Sequence, residues 1–321
     1  GELDLFVHRS QDELVIELEP APAIRRSGAE VLSGMLPIVS RIASAPDVLE
    51  ASVAAAEGVR DLTGYDRVMI YRFLDDDSGQ VIAEARAGDV DALLNHRYPA
   101  SDIPRQARAL YLRNPTRVVH DVGYSPAPII GGDRPLDLSG AVLRSVSPVH
   151  IQYLKNMEVG ASASFSLVRG DRLWGLIACH HRSARPIPHE EREMCRRVAI
   201  ALDQTASRLE EDNSQREVLR LTRRREELMP LIAAADSVGE GLRAHAEQVR
   251  SLVSGDGVAI LLDGDIITSG KVPPEAETRA LGKWLLEGNR EQLASDGLSQ
   301  IYEPAAAFAS IASGLISCIV S

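Results

Sequence analysis

Histidine, arginine, tyrosine and serine gather in three stretches of the chain, and these residue types are suited to hold a ligand. The first stretch is His96-Arg-Tyr-Pro-Ala-Ser-Asp-Ile-Pro104, whose two prolines fix an irregular backbone ahead of a helix expected over 105–113. Asp102 can cap that helix or face a site. Arg117 follows on a short expected strand. The second stretch, Leu143-Arg-Ser-Val-Ser-Pro-Val-His-Ile-Gln-Tyr-Leu-Lys-Asn-Met157, joins a loop to a helix on which His150 and Tyr153 share a face. In the third, Ser162, Ser164 and Ser166 alternate with Ala163, Phe165 and Leu167, and a second strand over 172–182 carries Trp174-Gly-Leu-Ile-Ala-Cys-His-His181.

Hydrolytic and metal chemistry fit these residues poorly. His180 and His181 are adjacent on a strand, so they point to opposite faces and cannot share one metal. His189-Glu-Glu-Arg-Glu lacks the second histidine of a zincin helix. There is no G-x-S-x-G elbow or P-loop, and Cys179 has no base in phase with it. What remains suits a flat conjugated acid whose carboxylates pair with Arg117 and Arg144. Serines would satisfy other oxygens, and tyrosines would flank the rings. The alternative from spacing alone is ordinary packing with surface arginines.

These residues need a scaffold. Residues 24–64 read as two helices, the second capped by Ser44, with Pro46 in its first turn, Asp47 three residues on and apolar positions Val48, Leu49, Val53, Val59 and Leu62. Gly64-Tyr-Asp66 turns the chain into a strand over 67–73, and the acidic turn 75–79 leads to a second over 80–86. The plan recurs later: a helix over 237–254, a strand over 258–262, an Asp263-Gly264 turn and a strand over 265–269. Between the two modules, 187–229 reads as one helix of ~40 residues, ~60 Å long at 1.5 Å per residue. Its stripe of Val198, Leu202, Ala206 and Leu209 suggests dimerisation; two packed helices are the alternative. Near the start, Leu14, Ile16 and Leu18 alternate with Val15 and Glu17 as one strand over 12–19, the last strand of a domain beginning upstream. Residues 315–320 read as a strand at the other edge, and both edges read as cuts.

The chain has 321 residues, with 35 Lys plus Arg against 46 Asp plus Glu and a net charge of −11. That balance argues against non-specific nucleic-acid binding and against adhesion to anionic membranes. No apolar run reaches the ~20 residues of a membrane span, and no signal peptide opens the chain, so a cytoplasmic protein is the default. Three scattered cysteines, Cys179, Cys195 and Cys318, make no disulfide framework.

Tyr98-Pro-Ala-Ser-Asp-Ile-Pro-Arg-Gln-Ala-Arg-Ala-Leu-Tyr111, Val142–Met157 and Leu173–His181 together resemble the chromophore-binding GAF domain of bacterial phytochromes. The likeness extends over the whole chain. Residues 1–22 resemble the end of a PAS domain, 23–186 the GAF domain, 187–229 a connecting helix whose first part belongs to GAF, and 230–321 part of a PHY domain. The implied fold class is α+β: a GAF-type antiparallel sheet flanked by helices, a long linking helix, and a second, GAF-related domain. The implied ligand is the linear tetrapyrrole biliverdin, attached through a cysteine upstream of this chain.

Carried over by resemblance, Asp102, fixed by Ile103-Pro104, offers its backbone carbonyl to the pyrrole N–H groups and its carboxylate to the PHY domain. His150 holds a water and influences ring protonation. Arg117, Arg144 and Tyr111 bind one propionate, with Ser147, Ser162 and Ser164 near the other. His180 meets the D-ring carbonyl, and Tyr71, Tyr98 and Tyr153 line the space in which that ring turns. The implied function is red/far-red photoreception by a homodimer that signals to an output module such as a histidine kinase, the region itself being no enzyme. Rival readings are a GAF module sensing a cyclic nucleotide and a dimerisation scaffold. The sequence departs from the family pattern at Val149, where plant and cyanobacterial relatives carry cysteine, at Glu158, where glycine is usual, and in a shorter stretch over 129–135. The resemblance also places the PHY hairpin that touches Asp102 beyond residue 321.

Overall fold

Two short strands open the chain, and their pairing is set by a two-residue turn. The computed structural model describes residues 1–131, 136–288 and 290–320, in two units, Gly1–Asp212 and Asn213–Ser321. In the first unit β1 (Leu3–Ser10) pairs antiparallel with β2 (Glu13–Pro20), and Gln11 takes φ 53° at the turn. The strand expected over 12–19 therefore finds its partner immediately ahead of it. Its faces are also reversed from a simple apolar-in pattern. Leu14, Ile16 and Leu18 are exposed, whereas Glu17 and Glu19 are buried. The acids face inward because each has a partner there. Glu19 takes a two-pronged pair from Arg192 at 2.6 and 2.7 Å, and Glu17 accepts from two backbone amides.

Helix α1 (Gly28–Ala43) starts at a capping box of Ser27 and Glu30. Helix α2 (Val48–Thr63) is capped by Asp47, which accepts from Glu50 N at 2.8 Å. Ser44, the expected cap, instead closes α1. Pro46 disfavours a helical Ala45, so the second helix can start only beyond it. The buried face of α2 is largely alanine (Ala51, Ala54, Ala55) with Val59, while Leu49 is exposed.

The sheet follows. Strands β3 (Arg67–Phe73), β4 (Gly79–Arg86) and β5 (Arg97–Tyr98) precede helix α3 (Arg105–Arg113) and β6 (Thr116–Val119). Helix α4 (Pro148–Asn156), β7 (Ala161–Arg169), β8 (Arg172–His181) and helix α5 (His189–Ala233) come next. The six strands are all antiparallel in the order β5-β4-β3-β8-β7-β6. Period-two alternation divides β3. Val68 and Ile70 join Phe165, Ile177 and Cys179 against α2 and α5, while Met69 and Tyr71 face the other way with Leu176. On β4 the register shifts, Ile70 opposing Ala83 and Tyr71 opposing Val81. The extra residue, Ile82, lets Val81 and Ala83 serve opposite faces despite equal parity.

Helix α5 is one continuous element of 45 residues. Its stripe of Val198, Leu202, Ala206 and Leu209 is not a dimer seam: all four are buried within this chain, and Val198 and Leu202 belong to the core under the sheet. The period of an apolar stripe is the same whether a sheet or a second helix covers it.

In the second unit the helix expected over 237–254 divides into α6 (Val238–Ala244) and α7 (Ala246–Leu252) at His245. Gly241 is pressed against Ile232, whose carbonyl oxygen a Cβ would meet at 2.4 Å. That close approach fixes the direction of α6, and the chain turns at His245. Strands β9 (Gly257–Leu262) and β10 (Asp265–Gly270) form the expected hairpin, with Asp263 and Gly264 at φ 49° and 89°. Helix α8 (Glu275–Glu287), β11 (Gln292–Ser295), the short α9 (Leu298–Ile301) and a 3-10 turn (Glu303–Phe308) precede β12 (Leu315–Cys318). β12 pairs with β11. Leu281, Leu285, Leu298, Ala305 and Phe308 form this unit's core. Among the described residues no helix is long and apolar enough to cross a membrane.

Candidate functional site

The sheet face turned away from α2 and α5 opens into a cavity of about 660 Å³, within the ~300–1,000 Å³ of small-molecule sites. Strand parity places its floor: Met69 and Tyr71 from β3, Leu176, Ala178 and His180 from β8, Ser162 and Ser164 from β7, and Arg117 from β6. Ser162 lies directly opposite His180, and Arg117 opposite Ser164. The other wall is Asp102-Ile103-Pro104 with α3, then Arg144 and Ser147, then His150 and Tyr153 of α4. All fourteen residues singled out from the sequence, including Tyr98 and Tyr111, line this one space. Ser166 does not; its hydroxyl donates to the Tyr111 carbonyl at 2.8 Å.

Asp102 is not the helix cap. Helix α3 begins after Pro104 without a side-chain cap, and Pro104 O accepts from Ala107 N and Arg108 N. The turn instead closes by Asp102 N donating to Pro99 O at 3.0 Å. Tyr71 is packed tightly: a Cβ on Gly79 would lie 2.0 Å from its Cζ. Its ring meets Tyr98 at 5.9 Å and Phe73 edge-on at 5.2 Å. His150 and Tyr153 stack with centroids 6.3 Å apart. Burial, aided by the nearby Asp102 charge, pushes the Tyr71 hydroxyl up to about 12, so it keeps its proton.

The charges are unbalanced. Arg117 carries a buried Nη1 with no hydrogen-bond partner among the described residues, and burial together with Arg144 lowers its pKa to about 10. Arg144 is likewise lowered by burial, and its Nη1 donates to Ala141 O at 2.7 Å. Among the described residues no carboxylate forms an ion pair with either guanidinium. A half-buried cation pair of this kind is stabilised by an anion. His180 is held down to about 4 by burial and by Arg67, and its Nδ1 has no partner among the described residues. It is a neutral imidazole near pH 7, able to donate or accept. Burial and Arg117 lower His150 as well.

Other candidates fall away. His181 Nδ1 lies 2.9 Å from Asp66 on the opposite side of the sheet from His180. Cys179 is in the core, where burial raises its thiol pKa far above the ordinary value. No metal-ligating cluster exists among the described residues. The cavity also takes in Val81, Leu110, Val119, Leu154 and Met157, apolar residues without a chemical signature. Only strand and helix phase could have found them. Glu158 adopts φ 56° in the turn that ends α4, where Val159 N returns to Leu154 O. That left-handed position is one a glycine would adopt without strain. Of the shortened stretch over 129–135, residues 132–135 lie outside the described residues.

A sheet with helices on one face and a ligand cavity on the other defines a GAF-type sensory module. Consistent with this, the family model "GAF domain" matches residues 47–206, and "Phytochrome region" matches 221–321. Cyanobacterial phytochrome B of Nostoc sp. is 35% identical over 99% of this chain and 43% of that protein. The crystal structure of bacteriophytochrome RpBphP3 from R. palustris superposes with TM-score 0.86 at 35% identity, over 98% of this chain and 64% of that one. The chromophore-binding domain of RpBphP3 gives TM-score 0.61 at 40% identity, over 66% of this chain and 71% of that one. The chain belongs to the phytochrome family. It spans less than half the length of the curated relatives it matches, such as Nostoc phytochrome B and a Xanthomonas campestris bacteriophytochrome.

Proposed function

We propose that this chain is the light-sensing part of a bacterial phytochrome and that its cavity holds biliverdin. The observation that carries this reading is the pair Arg117 and Arg144, without carboxylate ion pairs among the described residues, in a cavity whose floor sets Met69, Leu176 and Ala178 beside serines and His180 and whose wall carries Tyr111 and Tyr153. A flat, hydrophobic dicarboxylic acid matches that wall and that floor. When bound, the tetrapyrrole supplies absorption of red or far-red light and isomerisation beside its D ring.

The chain's residues do the rest. Arg117, Arg144 and the Tyr111 hydroxyl hold one propionate, and Ser147, Ser162 and Ser164 satisfy the other. The Asp102 carbonyl, fixed by Ile103-Pro104, accepts from pyrrole N–H groups, and His150 retains a water beside them. Neutral His180 hydrogen-bonds the D-ring carbonyl. Tyr71, Tyr98 and Tyr153 bound the volume in which the ring moves. We further propose covalent attachment through a cysteine upstream, a cytoplasmic homodimer, and output through a histidine kinase or similar module. On this reading the region senses and does not catalyse. Mixing the chain with biliverdin should give an intense red-absorbing band, while cyclic nucleotides should neither bind nor compete. Competition by a nucleotide would contradict the reading.

A further inference from the structure

We infer that Glu17 is a positioning residue for the cavity's anion-binding wall, fixing from outside the cavity the peptide from which Arg144 projects. This rests on the reading of Arg144 as partner of a ligand carboxylate.

Glu17 is buried on the inward side of β2 and does not line the cavity. Its Oε1 accepts from Val142 N at 3.2 Å and its Oε2 from Leu143 N at 2.7 Å. These are the two amides immediately before Arg144. Charge-assisted bonds to successive amides fix the local peptide plane as well as its position. The same hairpin grips the segment a second time, where Ser10 Oγ donates to Asp137 O at 2.6 Å. From the end of α3, Asn114 Nδ2 donates to the carbonyls of Ser139, Gly140 and Ala141. Ala141 O is also the acceptor that tethers Arg144 Nη1 at 2.7 Å.

The guanidinium is thus aimed by a chain of contacts that begins on the opening hairpin. Ordering a long arginine side chain costs conformational entropy, and a preformed support removes much of that cost from the binding step. A carboxylate suits this place specifically. Glutamine would offer one acceptor and turn its amide donor toward a backbone N–H.

The test is equilibrium titration of the 321-residue apoprotein with biliverdin and with biliverdin dimethyl ester, in the parent, Glu17→Gln, Arg144→Ala and the double variant. Site-resolved hydrogen exchange of the apoprotein accompanies it. Glu17→Gln should weaken biliverdin binding ~10-fold or more while leaving the ester's affinity unchanged. The double variant should bind biliverdin no more weakly than Arg144→Ala alone. The Val142 and Leu143 amides should exchange faster in Glu17→Gln without any ligand. Equal weakening of acid and ester, additive losses in the double variant, or unchanged exchange at these amides would overturn the inference. If Arg144→Ala keeps the parent's preference for the acid, the reading of Arg144 itself fails and the inference with it.

Discussion

His180 and His181 are neighbours on β8, yet His180 lines the cavity while His181 lies 2.9 Å from Asp66 on the opposite face. The two should therefore fail differently when replaced. His180→Gln should alter ligand absorption, and His181→Gln should act on stability. His180 also makes a pH prediction. Burial and Arg67 hold its pKa near 4 in the folded state, against an unfolded value of about 6.5. Between those values the unfolded chain binds more protons, so stability falls as pH is lowered through the window, by on the order of 3 kcal/mol when complete. Apoprotein melting temperatures should drop between about pH 7 and 4.5, less steeply in His180→Gln. The flattening is partial, because burial lowers His150 and His120 too. An unchanged slope would contradict the assignment.

Arg117 gives a case in which binding and stability oppose each other. Its half-buried guanidinium, whose buried Nη1 has no hydrogen-bond partner among the described residues, is costly until an anion arrives. Arg117→Met should leave the apoprotein equally or more stable in urea while lowering biliverdin affinity by about 1.5–3 kcal/mol. A variant that loses stability and keeps affinity would place Arg117 among the structural residues.

Much of the site was readable because its chemistry lies in short local motifs with clear phase. Alternation over 161–169 and the three-residue spacing of His150 and Tyr153 sufficed to put the polar groups on one side. Features set by distant partners were not readable. Glu17 and Glu19 face inward only because Val142, Leu143 and Arg192 await them, and nothing near residue 17 announces this. The parity slip at Ile82 is a single inserted residue with an ordinary side chain. Choosing Asp47 over Ser44 as a cap required weighing Pro46 against a good capping residue. The α5 stripe is legible from its period, whereas what covers it is not: Val198 and Leu202 pack into the core under the sheet.

Leu202 is fully buried under the sheet, so Leu202→Glu should unfold the first unit or cost several kcal/mol, measured by urea denaturation. It should not yield a stable monomer. The proposed homodimer is better probed through Val218 and Leu219 on α5, which are 62% and 58% exposed. Glutamate at both positions should lower the sedimentation coefficient without changing the melting temperature. Sedimentation identical to the parent's would remove these residues from the interface.

Asp102 and His150 should govern photochemistry more than binding. Asp102 does not cap α3, and ahead of Ile103-Pro104 it lines the cavity. Asp102→His should bind biliverdin and stay coloured, but fail to complete the light-driven change and fluoresce more. His150→Ala should lower the pH at which the chromophore loses its proton, because an apolar wall without its water disfavours the cation. Absorbance titrations with pH and fluorescence yields read both. Full cycling by Asp102→His would contradict this division of labour.

The most direct measurement for the whole account is the light-minus-dark absorbance spectrum of the biliverdin-loaded chain. The account predicts a red or far-red band in the dark, its depletion with growth of a shifted band on illumination, and recovery in darkness or under the second wavelength. A bound chromophore whose spectrum is the same before and after saturating light, in the parent protein, would contradict it.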